Sequence, residues 1–94
     1  MVEVSSGKPY TEVLEDGYII REFAEDVPSK ELVWHRDKKD RTVEVLQGEG
    51  WKFQYDNELP FDIEVGDTFT IEAMEYHRLI KGKTNLLLRI TENG

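Results

Sequence analysis

Short β-rich runs, each closed by a turn signal, fill most of the chain and limit the folds that it can adopt. The runs alternate apolar and polar side chains, as half-buried strands do; Val43 and Val45, for example, alternate with Thr42 and Glu44. Asp16-Gly17 separates two of the runs and is a strong two-residue hairpin signal. We predict strands at 10–15, 18–23, 32–36, 41–47, 51–55, 61–65, 68–72, 76–81 and 86–91. Such regular spacing, with no amphipathic helix of useful length, predicts a β-sandwich or a small closed barrel.

Composition supports the same fold class. The chain has 94 residues, which is typical of a single domain, so we expect one domain spanning 1–94. It contains two alanines against eight valines, six isoleucines and six threonines, a balance that disfavours long helices and favours strands. The prediction is an all-β domain.

Charge and cysteine content exclude several classes of function. A net charge of −8 repels phosphate backbones, and no basic stripe with interleaved aromatic residues is present, so we expect no nucleic-acid partner. The absence of cysteine excludes disulfides, thiolate nucleophiles and cysteine-based zinc sites. The first residues lack the pattern of a signal peptide, and the aliphatic run 86–88 is too short to span a membrane. We therefore expect a cytoplasmic protein without a membrane partner.

The two histidines of the chain are its main functional candidates. In an extended segment His35 and Asp37 project to the same side, because successive side chains point to opposite faces. An imidazole beside a carboxylate can provide two ligands of one metal ion, or it can be a hydrogen-bonded polar pair and nothing more. The residues leave both readings open.

The spacing around His35 resembles the first motif of small single-domain cupins, at about 32–50. That motif runs Gly, five residues, His-x-His, three or four residues, Glu, six residues, Gly. In this chain His35-x-Asp37 is followed by three residues, Arg41, six residues and Gly48. Asp37 therefore stands at the second histidine and Arg41 at the glutamate, and the leading glycine has no clear counterpart.

The second cupin motif is matched at about 66–81. It runs Gly, five residues, Pro-x-Gly, two residues, His, three residues, Asn. Gly66 and His77 keep this spacing and are the only identities, with 17 residues between Gly48 and Gly66. The resemblance implies a cupin-type jelly-roll β-barrel with its pocket inside, often dimeric, and the N-terminal hairpin at about 10–23 is the plausible paired edge.

Carried over by position, the resemblance implies that His35, Asp37 and His77 are the metal ligands. The family holds a divalent ion, commonly iron, manganese, nickel or zinc. Arg41 departs from the family, because a guanidinium stays cationic and cannot coordinate metal. It can repel the ion, pair with Asp37, be neutralised by Asp40 or Glu44, or grip an anionic group of a ligand.

Three functions remain open on these grounds. The first is a metal site inside the barrel that binds a small polar or anionic ligand, with Arg41 as the anion anchor. If this protein is an enzyme, a metal-dependent oxidation or isomerisation fits. The second is a metal-free binding or sensor module whose site is closed by an Arg41–Asp37 pair, and the third is a structural homodimer with a vestigial site.

We expect structural roles for the aromatic residues of the strand at 51–55 and for the two arginines next to the histidines. Trp51, Phe53 and Tyr55 form one aromatic face, which we expect to build the core. Arg36 and Arg78 each neighbour a candidate histidine in sequence, so on strands they point away from the site.

Overall fold

The alternating runs fold into strands that leave one short helix and several turns between them. A computed structural model describes residues 9–93. The strands are β1 (Thr11–Glu15), β2 (Tyr18–Phe23), β3 (Asp40–Gln47), β4 (Lys52–Tyr55), β5 (Phe61–Asp62), β6 (Thr68–Ile71), β7 (His77–Ile80) and β8 (Leu86–Asn93). A 3-10 helix covers Ser29–Glu31.

The strands form two antiparallel sheets. One has five strands in the order β1-β2-β8-β3-β6, and the other has three in the order β5-β4-β7. Every hydrogen-bonded pair is antiparallel. Eight strands in two antiparallel sheets, with pairs such as β2 and β8 that are far apart in sequence, are the arrangement of a jelly roll. The predicted all-β jelly-roll fold is confirmed.

The predicted N-terminal hairpin is present. β1 and β2 pair from Thr11 opposite Glu22 to Glu15 opposite Tyr18, so Asp16-Gly17 is the two-residue turn. Gly17 has a φ of 94°, a conformation that glycine adopts without steric cost. β1 is an edge of the five-stranded sheet, which leaves one side of it without a strand partner among the described residues. Homodimerisation through this edge stays a prediction.

Trp51 lies at the centre of the core. Its side chain is completely buried, and its indole Nε1 donates a hydrogen bond of 2.7 Å to the carbonyl oxygen of Thr84. Gly82 makes room for it, because a Cβ there would lie 2.5 Å from the Trp51 backbone nitrogen. The buried apolar residues around it come from both sheets and the loops between them: Phe23, Val27, Leu32, Val43, Val45, Phe53, Ile63, Ile71, Leu86, Leu88 and Ile90. The assignment of Trp51 and Phe53 to the core is confirmed.

The strand predicted at 32–36 is not formed. Leu32 closes the 3-10 turn through a hydrogen bond from its nitrogen to the Ser29 oxygen, and only His35 pairs with another strand, as an isolated bridge to His77. A single bridge cannot be read from local alternation, because it depends on a partner 42 positions along the chain.

The expectations about the N-terminal residues, the cellular location and the extent of the domain are tested only in part. Of the first nine residues, in which no signal peptide is expected, only Pro9 falls within the described part of the chain. No helix within residues 9–93 is long and apolar enough to cross a membrane. A cytoplasmic location and a single domain covering all of 1–94 stay predictions.

Candidate functional site

A backbone bridge brings the two histidines together. The His35 nitrogen donates to the His77 oxygen at 3.0 Å, and the His77 nitrogen donates to the His35 oxygen at 2.9 Å. Residues paired in this way across antiparallel strands place their side chains on the same face. The imidazole rings accordingly meet edge to face, with centroids 4.3 Å apart.

Asp37 completes a cluster of three potential metal ligands. Its backbone oxygen accepts a hydrogen bond of 2.6 Å from the Met74 nitrogen, and its Oδ2 atom lies 3.5 Å from Nε2 of His77. One ligand atom each from His35, Asp37 and His77 lies within 4.8 Å of the others. Two ligands on opposite sides of one ion are about 4 Å apart, so the cluster has nearly the size of a coordination sphere. The sequence prediction that these three side chains meet agrees with the geometry.

The hydrogen bonds of both imidazole rings leave Nε2 free. Nδ1 of His35 lies 3.1 Å from the Val33 oxygen, and Nδ1 of His77 lies 2.8 Å from the Glu75 oxygen. A carbonyl oxygen only accepts, so Nδ1 carries the proton in each ring and a neutral ring presents a lone pair at Nε2. An Nδ1 proton donated to a backbone carbonyl is the usual outer support of a metal-bound histidine.

Burial keeps His77 neutral. The side chain is almost fully enclosed, and the resulting loss of hydration is the main reason that its pKa lies below the usual value. The neighbouring His35 imidazole and the charge of Arg41 lower the pKa of His77 further, whereas the Glu75 carbonyl and Asp37 oppose the shift. A neutral imidazole is the form that coordinates metal.

Asp37 has an unpaired oxygen atom inside the site. Its Oδ2 is buried and has no hydrogen-bond partner among residues 9–93. The atom that faces it, Nε2 of His77, offers a lone pair rather than a proton. Two electron-rich atoms in contact at a buried position are costly unless a positive centre lies between them. The site therefore fits a cation better than it fits a closed hydrogen-bonded pair.

Arg41 contacts two carboxylates at the edge of this cluster. Its Nε and Nη2 atoms donate to Oε2 of Glu92 at 3.2 and 2.8 Å, and its Nη1 atom lies 3.4 Å from Oδ1 of Asp37. The two expected neutralising residues are engaged elsewhere, since Asp40 accepts from the Ala73 nitrogen and Glu44 faces Arg89 at 3.9 Å. The predicted contact between Arg41 and Asp37 exists, but it involves only Oδ1 of Asp37 and leaves Oδ2 unpaired.

Glu92 is a site residue that the sequence did not reveal. It is the cross-strand partner of Arg41 in the pairing of β3 with β8, and the hydrogen bond and charge of Arg41 hold the pKa of Glu92 below its usual value. One signal in the sequence could have indicated it. Leu88, Ile90 and Glu92 are each two residues apart, so on a strand Glu92 lies on the same face as the two apolar residues. The sequence predicts that this strand ends at residue 91, whereas β8 continues to Asn93.

The cluster opens into a cavity of about 340 Å³ inside the barrel. Phe53 joins the cluster to the cavity wall, because its ring stacks on the ring of His77 with centroids 5.5 Å apart and an interplanar angle of 21°. A volume of this size lies within the range of small-molecule sites.

Arg36 and Arg78 lie on the other face, as predicted. The guanidinium carbon of Arg36 is 5.1 Å from the centre of the Tyr76 ring, and that of Arg78 is 4.7 Å from the centre of the Trp34 ring. Arg78 also donates to Oε1 of Gln54 at 2.9 Å. Neither arginine lines the cavity.

Comparison with known proteins identifies the architecture. Neither a protein-family model nor a curated protein matches the sequence. Solved structures match the fold: the cupin domain of Schizosaccharomyces pombe Cnp3 has a TM-score of 0.67 at 15% identity and covers 88% of this chain and 58% of that one. A cupin superfamily protein of Desulfitobacterium hafniense has a TM-score of 0.66 at 20% identity and covers 99% and 84%. The chain has the cupin fold.

A third similar structure is an Fe(II) enzyme of this fold, HppE in complex with its substrate. Its TM-score is 0.66 at 13% identity, covering 89% of this chain and 52% of that chain. In the present cupin-fold chain, His35, Asp37 and His77 line the cavity from the loop before β3 and the start of β7; His77 is buried, Asp37 is half-buried and His35 is exposed. The likeness establishes the fold; the role of each site residue stays a prediction.

The lowered pKa of His77 predicts a pH dependence for the metal-free protein. The unfolded chain titrates His77 near 6.5, whereas the native chain does so at lower pH, so the unfolded state binds more protons in between. Stability contributed by neutral His77 is complete above about pH 6.5 and is lost as the pH falls through the interval below it. The slope from one group is at most about 1.4 kcal/mol per pH unit.

Urea denaturation of the metal-free protein at a series of pH values between 7.5 and 5 measures this effect. His77→Gln removes the titrating group, so its stability should change less steeply over the same interval. Equal slopes for the two proteins would contradict the prediction.

Proposed function

We propose that His35, Asp37 and His77 hold a divalent metal ion inside the barrel, next to a bound small molecule. The observation that carries the proposal is the buried Oδ2 of Asp37, which lacks a partner and faces the free Nε2 of His77. Iron, manganese, nickel and zinc all accept such a set of imidazole and carboxylate ligands. The Fe(II) in the structurally similar HppE supports a metal in a barrel of this kind.

Two histidines and one carboxylate leave coordination positions free for a ligand. A divalent ion bound there supplies a concentrated positive charge that polarises an oxygen atom of the ligand. If the protein is an enzyme, this chemistry fits oxidation or isomerisation of a small molecule. The unpaired Oδ2 of Asp37, the lone pair on Nε2 of His77 and the cavity beside them support the proposal.

The protein side chains around the ligands have distinct roles in this proposal. The Glu75 and Val33 carbonyls fix the two imidazole rings, each through Nδ1. Arg41 holds Oδ1 of Asp37 and so directs Oδ2 inward. Arg41 is also one of the residues that line the cavity, and its guanidinium is the candidate anchor for an anionic group of the ligand.

The alternative is a metal-free binding module, and the 3.4 Å contact of Arg41 with Asp37 favours it. In that case the carboxylate serves to neutralise Arg41, and the imidazoles bind the ligand by hydrogen bonds. The two proposals differ in what they require of Asp37, which is a metal ligand in the first and a structural counter-ion in the second.

Replacing Asp37 with Asn separates these proposals. In the metal-binding case we expect the metal-free variant to be as stable as the wild type within about 0.5 kcal/mol, or more stable, because a poorly satisfied buried charge is removed. The stabilisation by added Zn²⁺ or Mn²⁺, about 2.7 kcal/mol at a hundredfold excess over the dissociation constant, should be lost.

Chemical denaturation with and without the metal gives both quantities in one series. Asp62→Asn is the matched control, since Asp62 is exposed and pairs with Lys52 outside the cavity. A metal-free Asp37→Asn protein that is clearly less stable, together with a wild type that does not respond to metal, would favour the metal-free module.

A further inference from the structure

The wall of the cavity is mainly apolar. Aromatic and aliphatic side chains from both sheets make most of it: Phe23, Leu32, Val33, Val43, Phe53, Phe69, Ile71, Leu79, Leu88 and Ile90. Phe53 connects this wall to the metal-ligand cluster, because it stacks on His77 and packs against Phe69 with ring centroids 4.7 Å apart. A ligand that reaches the cluster therefore places the rest of its body against hydrocarbon.

The charges around the metal-ligand cluster, at the polar end of the cavity, favour a ligand with one negative charge. Arg41 contributes one positive charge, and its partners Asp37 and Glu92 contribute two negative charges. With neutral histidines the cluster is net negative by one unit, and a divalent ion makes it net positive by one. A single anionic group on the ligand balances this charge.

The remaining charged residues of the wall do not provide a place for a second anion. Arg21 is buried, and its Nε and Nη2 atoms both donate to Oε1 of Glu12, at 3.2 and 2.8 Å, so its charge is already balanced. The other charged residue, Glu31, is negative and repels anions. A ligand with a second carboxylate would have to bury that group against apolar side chains, which is costly.

From this distribution we infer that the ligand is a small monoanionic organic acid with an apolar body, its acid end at the metal and Arg41 and its body against the Phe53, Phe69 and Leu79 wall. This inference rests on the proposed metal site and specifies the ligand class for it. It narrows the polar or anionic ligand expected from the sequence, because the apolar wall is formed by residues that are far apart in the chain.

Three 2-hydroxy acids with the same head group test the inference. 3-Phenyllactate carries a phenyl group where malate carries a second carboxylate, and lactate lacks both. Calorimetric titration of the Zn²⁺-loaded protein should give an affinity for 3-phenyllactate about tenfold or more above those of malate and lactate, because only the phenyl ring buries apolar surface.

A pair of variants locates the binding. Leu79 follows His77 on the same face of β7 and lines the cavity, so Leu79→Asn should remove the preference for 3-phenyllactate while leaving Zn²⁺ uptake unchanged. Leu59→Asn is the same substitution at an exposed position outside the cavity and should change neither. The wild-type comparison stands by itself if Leu79→Asn does not fold.

The outcomes separate the inference from the proposed function. Zn²⁺ uptake with malate or lactate bound as tightly as 3-phenyllactate would overturn the inference and leave the metal site standing. Failure of the wild type to take up any of the four metals iron, manganese, nickel and zinc would overturn both.

Discussion

His77→Ala should abolish metal binding and leave the fold in place. The substitution removes the buried member of the ligand set and leaves His35 and Asp37, which cannot hold a divalent ion tightly by themselves. We expect the affinity for Zn²⁺ or Mn²⁺ to fall by at least about a hundredfold, as measured by calorimetric titration. The effect should be large because both remaining ligands are more accessible to water than His77 is.

The control for this variant is Arg78→Ala. Arg78 is the next residue on β7, but it points to the other face and contacts Gln54 and Trp34. Its removal should leave metal affinity unchanged. Circular dichroism must show native strand content for both proteins, and a folded His77→Ala protein that binds metal as tightly as the wild type would refute the assignment of His77 as a ligand.

The two tryptophans should differ sharply in their contribution to stability. Trp51 is fully buried, packs against Phe23 with ring centroids 6.0 Å apart, and donates its indole hydrogen bond to Thr84. Trp51→Ala leaves a large cavity and an unpaired carbonyl, so we expect the free energy of unfolding to fall by about 3–5 kcal/mol. In a domain of this size, such a loss is a large share of the total stability.

Trp34→Ala is the matched control. The side chain of Trp34 is 40% exposed, and its described ring contact is with the guanidinium of Arg78. Its removal should cost about 1 kcal/mol or less. Urea denaturation of both variants measures the difference, and equal losses would contradict the position of Trp51 at the centre of the core.

Local patterns in the sequence predict most of the strands. The Asp16-Gly17 turn and the alternation in β3, β4 and β6 depend on neighbouring residues, so they can be read without knowledge of the partner strands. The resemblance to cupins then gave the jelly roll. The β-rich composition of the segment 32–36 predicts a strand, but in the structure only His35 pairs with another strand, as an isolated bridge to His77.

The site was predictable in part. The motif spacing predicts that His35, Asp37 and His77 are candidate metal ligands, and the structure places their side chains together. The motif spacing does not show that Glu92, rather than Asp40 or Glu44, is the second partner of Arg41. That contact depends on the register between β3 and β8. The apolar character of the cavity was equally hidden, because its wall is assembled from six strands.

The metal content of the wild-type protein tests the central claim most directly. The protein should be purified without a histidine tag, loaded separately with iron, manganese, nickel and zinc, freed of excess metal, and examined by elemental analysis. A divalent metal at about one ion per chain, reduced to background in His77→Ala, is the result expected from a cation between Asp37 and His77. Background metal in the wild type after every loading would contradict the account, and the search should then turn to ligands that bind without metal.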